Sequence, residues 1–542
     1  MKRAVFNPGH HVFLKYAILP LCLFFLIISL LRALAPPLGD DALAYHLALP
    51  KIYLEAGGFQ AVPWMVYSHF PLSAEMIYTL ALAFGSPVAA ALVHFLFGLF
   101  AVLTIAALGE GISEKAPGVG IAAAAIFLST PLIQWEMGTA YNDLVPCFFL
   151  FLSFSLIVAG DRKSIVLAGL SAGFAVAAKL TAGPYVFILL ACLLARRGGG
   201  AGDRVRTGVL FLAASALPVL PWLVKTFLET GNPVFPFMYE TLGGKDWNIQ
   251  LNREFVKWHF QDYGMGKSLG ALLSLPWNLT FKVAGNFGWK SAYPERELGC
   301  FFLFFLPLLF VSGKIFRKHG AAVFMVVAGL AAWFAGSQQI RFLLNFWPCL
   351  CLLYAAGLFK VARVHWTGAV LACALAAGAA AFTFQGYAGR AFEPAGAAFT
   401  SSEGKKISYI EKNLPPFRAF AALDLLTADD PARAGIMMES RTFYSSSDFV
   451  WLTPTQQGLL DYSQIFSGDS LYKRLGELDI GYVMIHHRTY SRLYAYLENE
   501  KKSGRPHSEY FLKCFSGFRE LLTGKKSKLV YADNDFAIFK LN

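Results

Sequence analysis

Two adjacent acids, Asp40 and Asp41, stand in a polar stretch, residues 36–87, that separates two long apolar runs. A carboxylate in such a place can remove a proton from an incoming hydroxyl or amine. A second carboxylate beside it raises the pKa of one of the pair through like-charge repulsion. The alternative is that the two acids only cap a helix at a solvated interface.

Further acids precede a later apolar segment. Asp143 ends the sequence Ala-Tyr-Asn-Asp, and Glu136 lies seven residues before it. If both face the same side of a membrane as Asp41, they can flank a reacting centre or hold a divalent cation. A carboxylate at a helix N-terminus is also stabilised by the helix dipole, which is the simpler account of Asp143.

Two cations lie in or beside apolar segments, where a charged side chain is unfavourable unless it has a partner or a function. Lys179 is predicted at membrane depth, and an ionisable side chain there is a functional candidate by default. Arg341 begins another apolar segment, and its guanidinium fork suits a phosphate. Snorkelling of the lysine and anchoring of the arginine at the interface are the alternatives. His46 and His69 can bond a phosphate or a sugar hydroxyl, and each can equally have a structural role.

The composition is that of a polytopic membrane protein. Of the 542 residues, 56% are hydrophobic and only 15% are charged, whereas about a quarter is charged in a soluble domain. The net charge of +12 arises mostly in residues 1–385, which hold 27 Lys and Arg against 17 Asp and Glu. Because these basic residues fall in short loops, they indicate membrane topology rather than a nucleic-acid partner.

Residues 1–385 are predicted to form a mainly α, transmembrane helical domain of about 11 spans. The first run is interpreted as an uncleaved span rather than a signal peptide, because its apolar part is longer than a usual signal core. Basic loops place one side in the cytoplasm and the acids named above on the outer side. The spans are predicted at 14–35, 87–109, 118–135, 143–159, 165–178, 182–195, 207–228, 299–313, 320–336, 341–359 and 367–385.

Two parts of this domain are predicted to be irregular. Residues 165–178 and 182–195 give helices of only about 21 Å each, short of a hydrocarbon core of roughly 30 Å. We therefore expect a broken hairpin that turns near Lys179. The first outer loop, 36–86, is expected to form interfacial helices, since its apolar residues fall on one helical face.

Residues 386–542 have balanced charge and no spanning run. They are predicted to form a small α+β domain on the outer, periplasmic side, with alternating patterns typical of strands and turn residues between them. The strands are predicted at 434–438, 482–486 and 529–539, the last with a turn at 533–535, and a helix is predicted at 471–478.

Several signatures of other protein classes are missing. The sequence holds no phosphate-binding Gly-x-x-x-x-Gly-Lys-Ser/Thr loop, no His-Glu-x-x-His and no strand-linked Gly-x-Gly-x-x-Gly. Its eight cysteines show neither a disulfide framework nor a zinc spacing. A nucleotide-driven pump and a nucleotide-sugar enzyme of Rossmann type are therefore unsupported.

The motifs, taken in order, resemble a known family. Residues 14 to about 385 resemble the C-type (GT-C) integral membrane glycosyltransferases. The likeness is strongest to bacterial proteins related to protein O-mannosyltransferases and to the aminoarabinose transferase of lipid A. The motifs are Asp40-Asp41-Ala-Leu-Ala-Tyr45-His46, then Asp143, the segment Lys-Thr-Phe-Leu-Glu-Thr-Gly-Asn-Pro-Val-Phe-Pro at 225–236, and Gln339-Ile340-Arg341-Phe342 before Pro348.

The resemblance implies transfer of a sugar from a polyprenyl-phosphate carrier to an envelope lipid, glycan or protein, with inversion, on the outer face of the inner membrane. It implies that Asp41 or Asp40 is the general base. Asp143 and Glu136 would lie on the acceptor or metal side, and no cofactor is implied beyond a possible divalent metal ion. The donor phosphate would be bound by Lys179, Arg341, His46 and His69.

Three other functions stay open. A secondary transporter or flippase fits the broken hairpin and an intramembrane lysine, although no internal repeat is visible. A polymerase or ligase of lipid-linked oligosaccharides would share the type of donor. The third is a non-enzymatic membrane scaffold that displays residues 386–542.

Overall fold

The computed structural model describes residues 8–112, 118–159, 161, 163–196, 200–281, 298–299, 301–310, 320–364, 374, 378, 381, 393–400 and 402–542. The span predicted at 367–385 and the basic loop at 314–318 lie outside the described residues, apart from isolated positions, as does the end of the span predicted at 299–313. Within the described part, helices dominate residues 8–364, and a small sheet with helices forms the C-terminal part.

The helices of residues 8–364 follow most of the predicted apolar segments. The longer ones are Pro8–Ala33, Ala48–Glu55, Ser73–Ala83, Pro87–Ile112, Val119–Leu128, Pro131–Met137, Leu144–Ala159, Ser164–Ala178, Gly183–Leu194, Ala201–Thr230, Ile249–Phe260, Gly320–Ala335 and Trp347–Val364. The shorter ones are Tyr239–Leu242, Leu269–Leu273, Leu275–Phe281, Phe301–Phe304 and Leu306–Phe310.

Two helices of the described part are long and apolar enough to cross a membrane, Pro87–Gly111 and Ala201–Thr230. A third span results if Val119–Leu128 and Pro131–Met137, which meet at 74°, are counted together. Other apolar helices have 10–17 residues, or about 15–25 Å at 1.5 Å per residue. The eleven predicted spans are therefore not confirmed, although the chain has the apolar helices of an integral membrane protein.

The segment predicted as one span at 118–135 bends sharply. Thr130 is extended there, with φ −73° and ψ 120°, and Pro131 begins the second helix. A proline pushes the residue before it out of the helical region. The Thr130 hydroxyl also donates to the carbonyl oxygen of Ile126 at 3.0 Å. The bend carries Glu136 into the protein interior, where it is fully buried.

The two short helices of the broken hairpin are confirmed. Ser164–Ala178 ends at Lys179, whose backbone is extended, and a short 3₁₀ turn then leads into Gly183–Leu194. A Cβ on Gly173 would collide with the carbonyl oxygen of Ser215 in a neighbouring helix. Glycine therefore permits the close helix packing that fixes the position of Lys179.

The first outer loop is helical, as predicted. It forms a π-helical turn at Ala42–His46, then helix Ala48–Glu55, a 3₁₀ turn at Val66–His69 and helix Ser73–Ala83. Asp41 stands at the start of the first turn, but its side chain makes no capping hydrogen bond there. The simple capping account therefore fails for Asp41, whose carboxylate has another partner.

The C-terminal part contains a mixed sheet of five strands among the described residues. The strands are β1 Arg433–Met437, β2 Phe449–Trp451, β3 Ile480–Ile485, β4 Ser527–Ala532 and β5 Ala537–Leu541. Their order is β2-β1-β3-β5-β4, with β1 parallel to both neighbours and β5 antiparallel to both of its own. The predicted strands and hairpin are confirmed, whereas β2 was not predicted, because three residues are too few to show a pattern. The helices are Glu403–Asn413, Phe417–Asp429, Gly468–Gly476, His487–Lys502 and Glu509–Thr523.

The C-terminal part packs directly on the first outer loop. Lys51 Nζ donates to the carbonyl oxygens of Phe443 (3.1 Å) and Ser445 (2.5 Å). The hydroxyl of Tyr444 donates to the carbonyl oxygen of Pro37 at 3.0 Å. Residues 443–445 of the C-terminal part are thus held by two separate positions of the first outer loop, Pro37 and Lys51.

The hydrophobic interior also crosses the predicted domain boundary. Val66 and Phe235 belong to the same buried cluster as Leu452 and Tyr462. Residues from the outer loops therefore complete the core beneath the sheet. The boundary at residue 385 itself stays a prediction, because 382–392 lie outside the described residues.

Replacing Lys51 with Met should loosen this contact. Met keeps an apolar stem but donates no hydrogen bond, so two carbonyl oxygens lose their donor at a total cost of about 1–3 kcal/mol. We expect backbone amides at 442–446 to exchange hydrogen at least about tenfold faster. Hydrogen–deuterium exchange on the purified chain measures this, with Lys405→Met at an exposed position as the control. Equal exchange in both variants would show that the contact does not depend on Lys51.

Candidate active site

A cavity of about 950 Å³ opens where the first outer loop meets the break in the hairpin and residues 337–345. Residues between 234 and 263 cover one side, and Ser440 and Gln456 of the C-terminal part also reach it. Many of the lining residues are aromatic, and few are charged. The charged side chains that line it are Asp40, Asp41, Glu75, Lys179 and Arg341.

Four charged side chains form a row of ion pairs at this cavity. Arg341 Nη1 lies 2.5 Å from Asp41 Oδ2 and 3.8 Å from Asp143 Oδ2. Lys179 Nζ lies 2.7 Å from Asp143 Oδ1. Asp41 and Arg341 are 300 residues apart in the sequence. The fold therefore brings together four side chains that the sequence suggested separately.

The charge state of Asp41 is set mainly by its cationic partner. Burial opposes ionisation, but the charges of Arg341 and His46 outweigh it and hold the pKa of Asp41 below its usual range. The expected rise through repulsion by Asp40 is therefore wrong for Asp41. The carboxylate of Asp40 is about half exposed and lies 3.6 Å from Arg441 of the C-terminal part.

The backbone around Asp41 is held by residues about a hundred positions later. Its N–H donates to the hydroxyl oxygen of Tyr141 at 3.1 Å. The hydroxyl of Tyr45 donates to Asp41 Oδ2 at 3.4 Å. A Cβ on Gly39 would collide with Thr139 and Tyr141. Glycine at this position therefore lets the outer loop approach closely enough for Asp41 to reach the cavity.

Arg341 is held in a turn rather than in a span. It belongs to the 3₁₀ turn Ile340–Asn345, and the following α-helix begins only at Trp347, later than the predicted start of the span at residue 341. The Gln339 side-chain oxygen accepts hydrogen bonds from Arg341 Nε (3.3 Å) and Nη2 (3.1 Å). The other terminal nitrogen of the guanidinium, Nη1, faces the carboxylates of Asp41 and Asp143.

Asp143 directly precedes helix Leu144–Ala159, where the helix dipole favours a negative charge. The dipole is not its only support, because Lys179 donates to it and the carboxylate is only 2% exposed. A buried charge without a close partner costs several kcal/mol. Lys179 and Asp143 therefore depend on each other.

Four of the predicted site residues do not line the cavity. One is Asp143, which pairs with the two lining cations, Lys179 and Arg341; the others are His46, His69 and Glu136. His46 is fully buried, with Nδ1 2.5 Å from Glu75 Oε1. His69 pairs with Glu229 at 2.9 Å beside another cavity of about 200 Å³. Glu136 is buried beyond the bend described above. These positions do not support direct contact of the three side chains with a ligand in the main cavity.

Several lining residues were not predicted as site residues. Glu75 lies in the polar stretch 36–87, but its position on helix Ser73–Ala83 gave no sign of a role. Tyr67, Trp258 and Tyr263 line the cavity as well. Aromatic residues are common throughout this chain, so only the tertiary structure could select these three.

The donor set suits an anion better than a metal ion. Among the residues that the structure describes, no group of three or more His, Cys, Asp or Glu side chains could hold a metal. Asp41 and Asp143 are instead neutralised by Arg341 and Lys179. The divalent ion that the sequence left open therefore has no cluster of ligands among the described residues of this cavity.

Residues 77–347, half of the chain, match a family described as "Domain of unknown function (DUF8201)". The chain belongs to this family. The DUF8201 region contains Asp143, Lys179 and Arg341, but it begins after Asp40 and Asp41. The matched region thus supplies both cations of the cavity.

Solved structures of ArnT from Cupriavidus metallidurans have a similar fold. The structure of ArnT bound to undecaprenyl phosphate gives a TM-score of 0.56 at 13% identity and covers 98% of each chain. The apo structure gives 0.55 at 13% identity and covers 97% of each chain. A comparison with curated proteins finds no match. The DUF8201 chain therefore has an ArnT-like fold over nearly its whole length.

Removing Lys179 should destabilise the DUF8201 chain. Lys179→Met leaves the buried carboxylate of Asp143 without its closest cation, which costs about 3–5 kcal/mol. Combining it with Asp143→Leu should recover most of the loss, because the uncompensated charge is then gone. Unfolding of the purified chain in detergent measures both variants.

The control for this cycle is Lys406→Met, which breaks an ion pair with the exposed Glu403. It should change stability by less than about 1 kcal/mol, as exposed pairs do. A double variant as unstable as Lys179→Met would contradict the mutual dependence of Lys179 and Asp143.

Proposed function

We propose that this protein is a GT-C-type glycosyltransferase that uses a polyprenyl-phosphate-linked sugar. It would transfer the sugar to an envelope lipid, glycan or protein at the outer face of the inner membrane. The observation that carries the proposal is the meeting of Lys179 and Arg341 with Asp41 at one large cavity. The ArnT-like fold adds support, since one ArnT structure contains undecaprenyl phosphate.

The two cations suit the leaving group of such a reaction. When a glycosyl phosphate bond breaks, negative charge grows on the phosphate oxygens, and fixed cations in a site that excludes water stabilise it most. Arg341 offers a planar fork for two phosphate oxygens, whereas Lys179 acts as a point charge. Neither role requires a protein acid to protonate the leaving group.

Asp41 is proposed as the general base. It would take the proton of an acceptor hydroxyl while the acceptor oxygen bonds to the anomeric carbon. The bond from that carbon to the phosphate oxygen breaks with its electron pair, which releases polyprenyl phosphate. Displacement by attack from the opposite face inverts the anomeric centre.

The ion pair with Arg341 links donor binding to the strength of this base. Without donor, Arg341 holds the pKa of Asp41 low, and such a carboxylate is a weak base. A donor phosphate would draw Arg341 toward itself and weaken its pairing with Asp41. The pKa of Asp41 then rises, so the base becomes effective only when the leaving group is in place.

The C-terminal part is proposed to form the acceptor side of the cavity. Ser440 and Gln456 line it, and Arg441 lies close to Asp40. Both contacts come from the C-terminal part, whereas Lys179 belongs to the hairpin. An acceptor bound at Ser440 and Gln456 would share the cavity with Asp40 and Asp41.

A flippase is the second candidate, favoured by the break in the hairpin at Lys179. It would move the lipid-linked sugar without breaking the glycosyl bond. Purified chain in liposomes, supplied with a panel of undecaprenyl-phosphate-linked radiolabelled sugars and with envelope lipids and glycans as acceptors, separates the two. Movement of label across the membrane without release of undecaprenyl phosphate would support the flippase.

In the same assay Asp41→Asn should lower sugar transfer by about 10²- to 10⁴-fold, the usual contribution of a general base. Asp40→Asn should lower it by less than about tenfold, because that carboxylate is half exposed and faces Arg441. Asp448→Asn, an exposed position in the C-terminal part, is the control. Full transfer by a folded Asp41→Asn chain would defeat the mechanism, and the reverse order of the two effects would assign Asp40 as the base.

Arg341→Gln should weaken binding of undecaprenyl phosphate itself. Gln keeps hydrogen-bonding capacity but loses the charge, and a hydrogen bond to a charged group contributes about 1.5–3 kcal/mol, or roughly 10- to 100-fold in affinity. Binding to the purified chain is measured by displacement of a labelled polyprenyl phosphate. The control is Arg418→Gln, whose side chain is exposed and pairs with Glu411. Equal affinity of the Arg341→Gln chain and the control would remove Arg341 from the phosphate site.

A further inference from the structure

Glu75 is a third carboxylate of the cavity, after Asp40 and Asp41, and has no part in the proposed mechanism. It lines the wall and is nevertheless fully buried from solvent. Its Oε1 atom accepts from His46 Nδ1 at 2.5 Å and from Asn142 Nδ2 at 3.1 Å. Its Oε2 atom is buried without a hydrogen-bond partner among the described residues. The carboxylate is thus held firmly by one oxygen, while the other is an unpaired acceptor.

Asn142 presents a second acceptor at the same place. Its amide nitrogen donates to Glu75 and also to the carbonyl oxygen of Ala178 at 3.1 Å. These bonds fix which end of the amide is the oxygen, and Oδ1 is buried with no partner in the described part of the chain. Ala178 directly precedes Lys179, so this pair of acceptors lies next to the cation that is proposed to bind phosphate.

The neighbouring donors pair with carboxylates and, in the proposed function, serve the donor phosphate, so they are not left over for the sugar. Lys179 donates to Asp143, and Arg341 donates to Asp41 and Gln339. An ionised carboxylate can only accept, and a buried acceptor without a donor is unfavourable. This end of the cavity therefore favours a ligand that brings hydrogen-bond donors of its own and disfavours one that brings negative charge.

We propose that Glu75 and Asn142 form the subsite for the first sugar of the donor, which must be a neutral or amino sugar and not a uronic acid. The proposal rests on the proposed function, because the sugar is expected beside the phosphate that Lys179 holds. Hydroxyl or ammonium groups of the sugar would donate to Glu75 Oε2 and Asn142 Oδ1. His46 does not touch the ligand; it is a positioning residue that orients Glu75 from behind.

The test compares bare undecaprenyl phosphate with undecaprenyl phosphate carrying glucose, 4-amino-arabinose or glucuronic acid. Affinity for the purified full chain is measured by displacement of a labelled polyprenyl phosphate. We expect the glucose or the amino-sugar conjugate to bind at least about tenfold more tightly than the bare lipid phosphate, which corresponds to a net gain of one or two hydrogen bonds. The glucuronic acid conjugate should show no gain.

Glu75→Gln tests the residue itself. The Gln oxygen can still accept from His46 and Asn142, but its amide nitrogen replaces the free acceptor with a donor. The variant should lose the gain from the sugar and keep its affinity for bare undecaprenyl phosphate. Glu500→Gln is the control, since Glu500 is also buried but pairs with Arg505 far along the chain, in the C-terminal part.

Each outcome decides between the claims. No binding of bare undecaprenyl phosphate by the unaltered chain overturns the proposed function and the subsite together. Binding of the bare lipid without any gain from a sugar, or with a gain from glucuronic acid, overturns the subsite alone. An equal loss of affinity for all ligands in Glu75→Gln assigns Glu75 a purely structural role. If that variant does not fold, the comparison of the conjugates on the unaltered chain still decides the sugar class.

Discussion

The ion pair between Asp41 and Arg341 is the interaction on which the rest of the site depends. It joins the first outer loop to a turn 300 residues later. Through Asp143 and Lys179 it continues into the hairpin, so cations and anions alternate along one row. Because these side chains are buried or half-buried, removing one of them leaves the charge of its neighbour poorly compensated. Each surrounding element therefore has to position one charged side chain in this row.

The row is balanced in charge, which bears on how the site responds to a ligand. The two carboxylates and two cations of the row leave it with no net charge. The proposed donor phosphate would add negative charge and compete with the carboxylates for the same guanidinium. Its binding would therefore require part of the pairing between Arg341 and Asp41 to be given up.

Much of this site could be predicted from the sequence, because charges in apolar surroundings are conspicuous. Asp143, Lys179 and Arg341 stood out for that reason, and Asp41 stood out in a polar stretch between two apolar runs. The fold places these four side chains together. The roles of His46, His69 and Glu136 could not be judged, since a buried pair and a ligand contact have the same sequence pattern. Glu75 was not predicted as a site residue, because a single acid on a short helix is usually exposed to solvent.

The helices were predicted by apolar runs, but their breaks were predicted only in part. Lys179 marks a break by its charge. The bend before Pro131 was missed, although Ser129, Thr130 and Pro131 interrupt the apolar run there. The sheet was found through its longer strands and its turn at 533–535. Its packing on the first outer loop was not foreseen, because contacts such as Lys51 with the carbonyl of Ser445 leave no pattern in sequence.

The separation of 300 residues between Asp41 and Arg341 also sets the order in which the site can be made. A ribosome adds about 5–20 residues per second, so Asp41 emerges roughly 15–60 seconds before its partner. During that interval the first outer loop holds an unpaired acid, which must remain in water. The cavity can therefore close only late in synthesis, after the turn that carries Arg341 has been inserted, and the C-terminal part settles on it last.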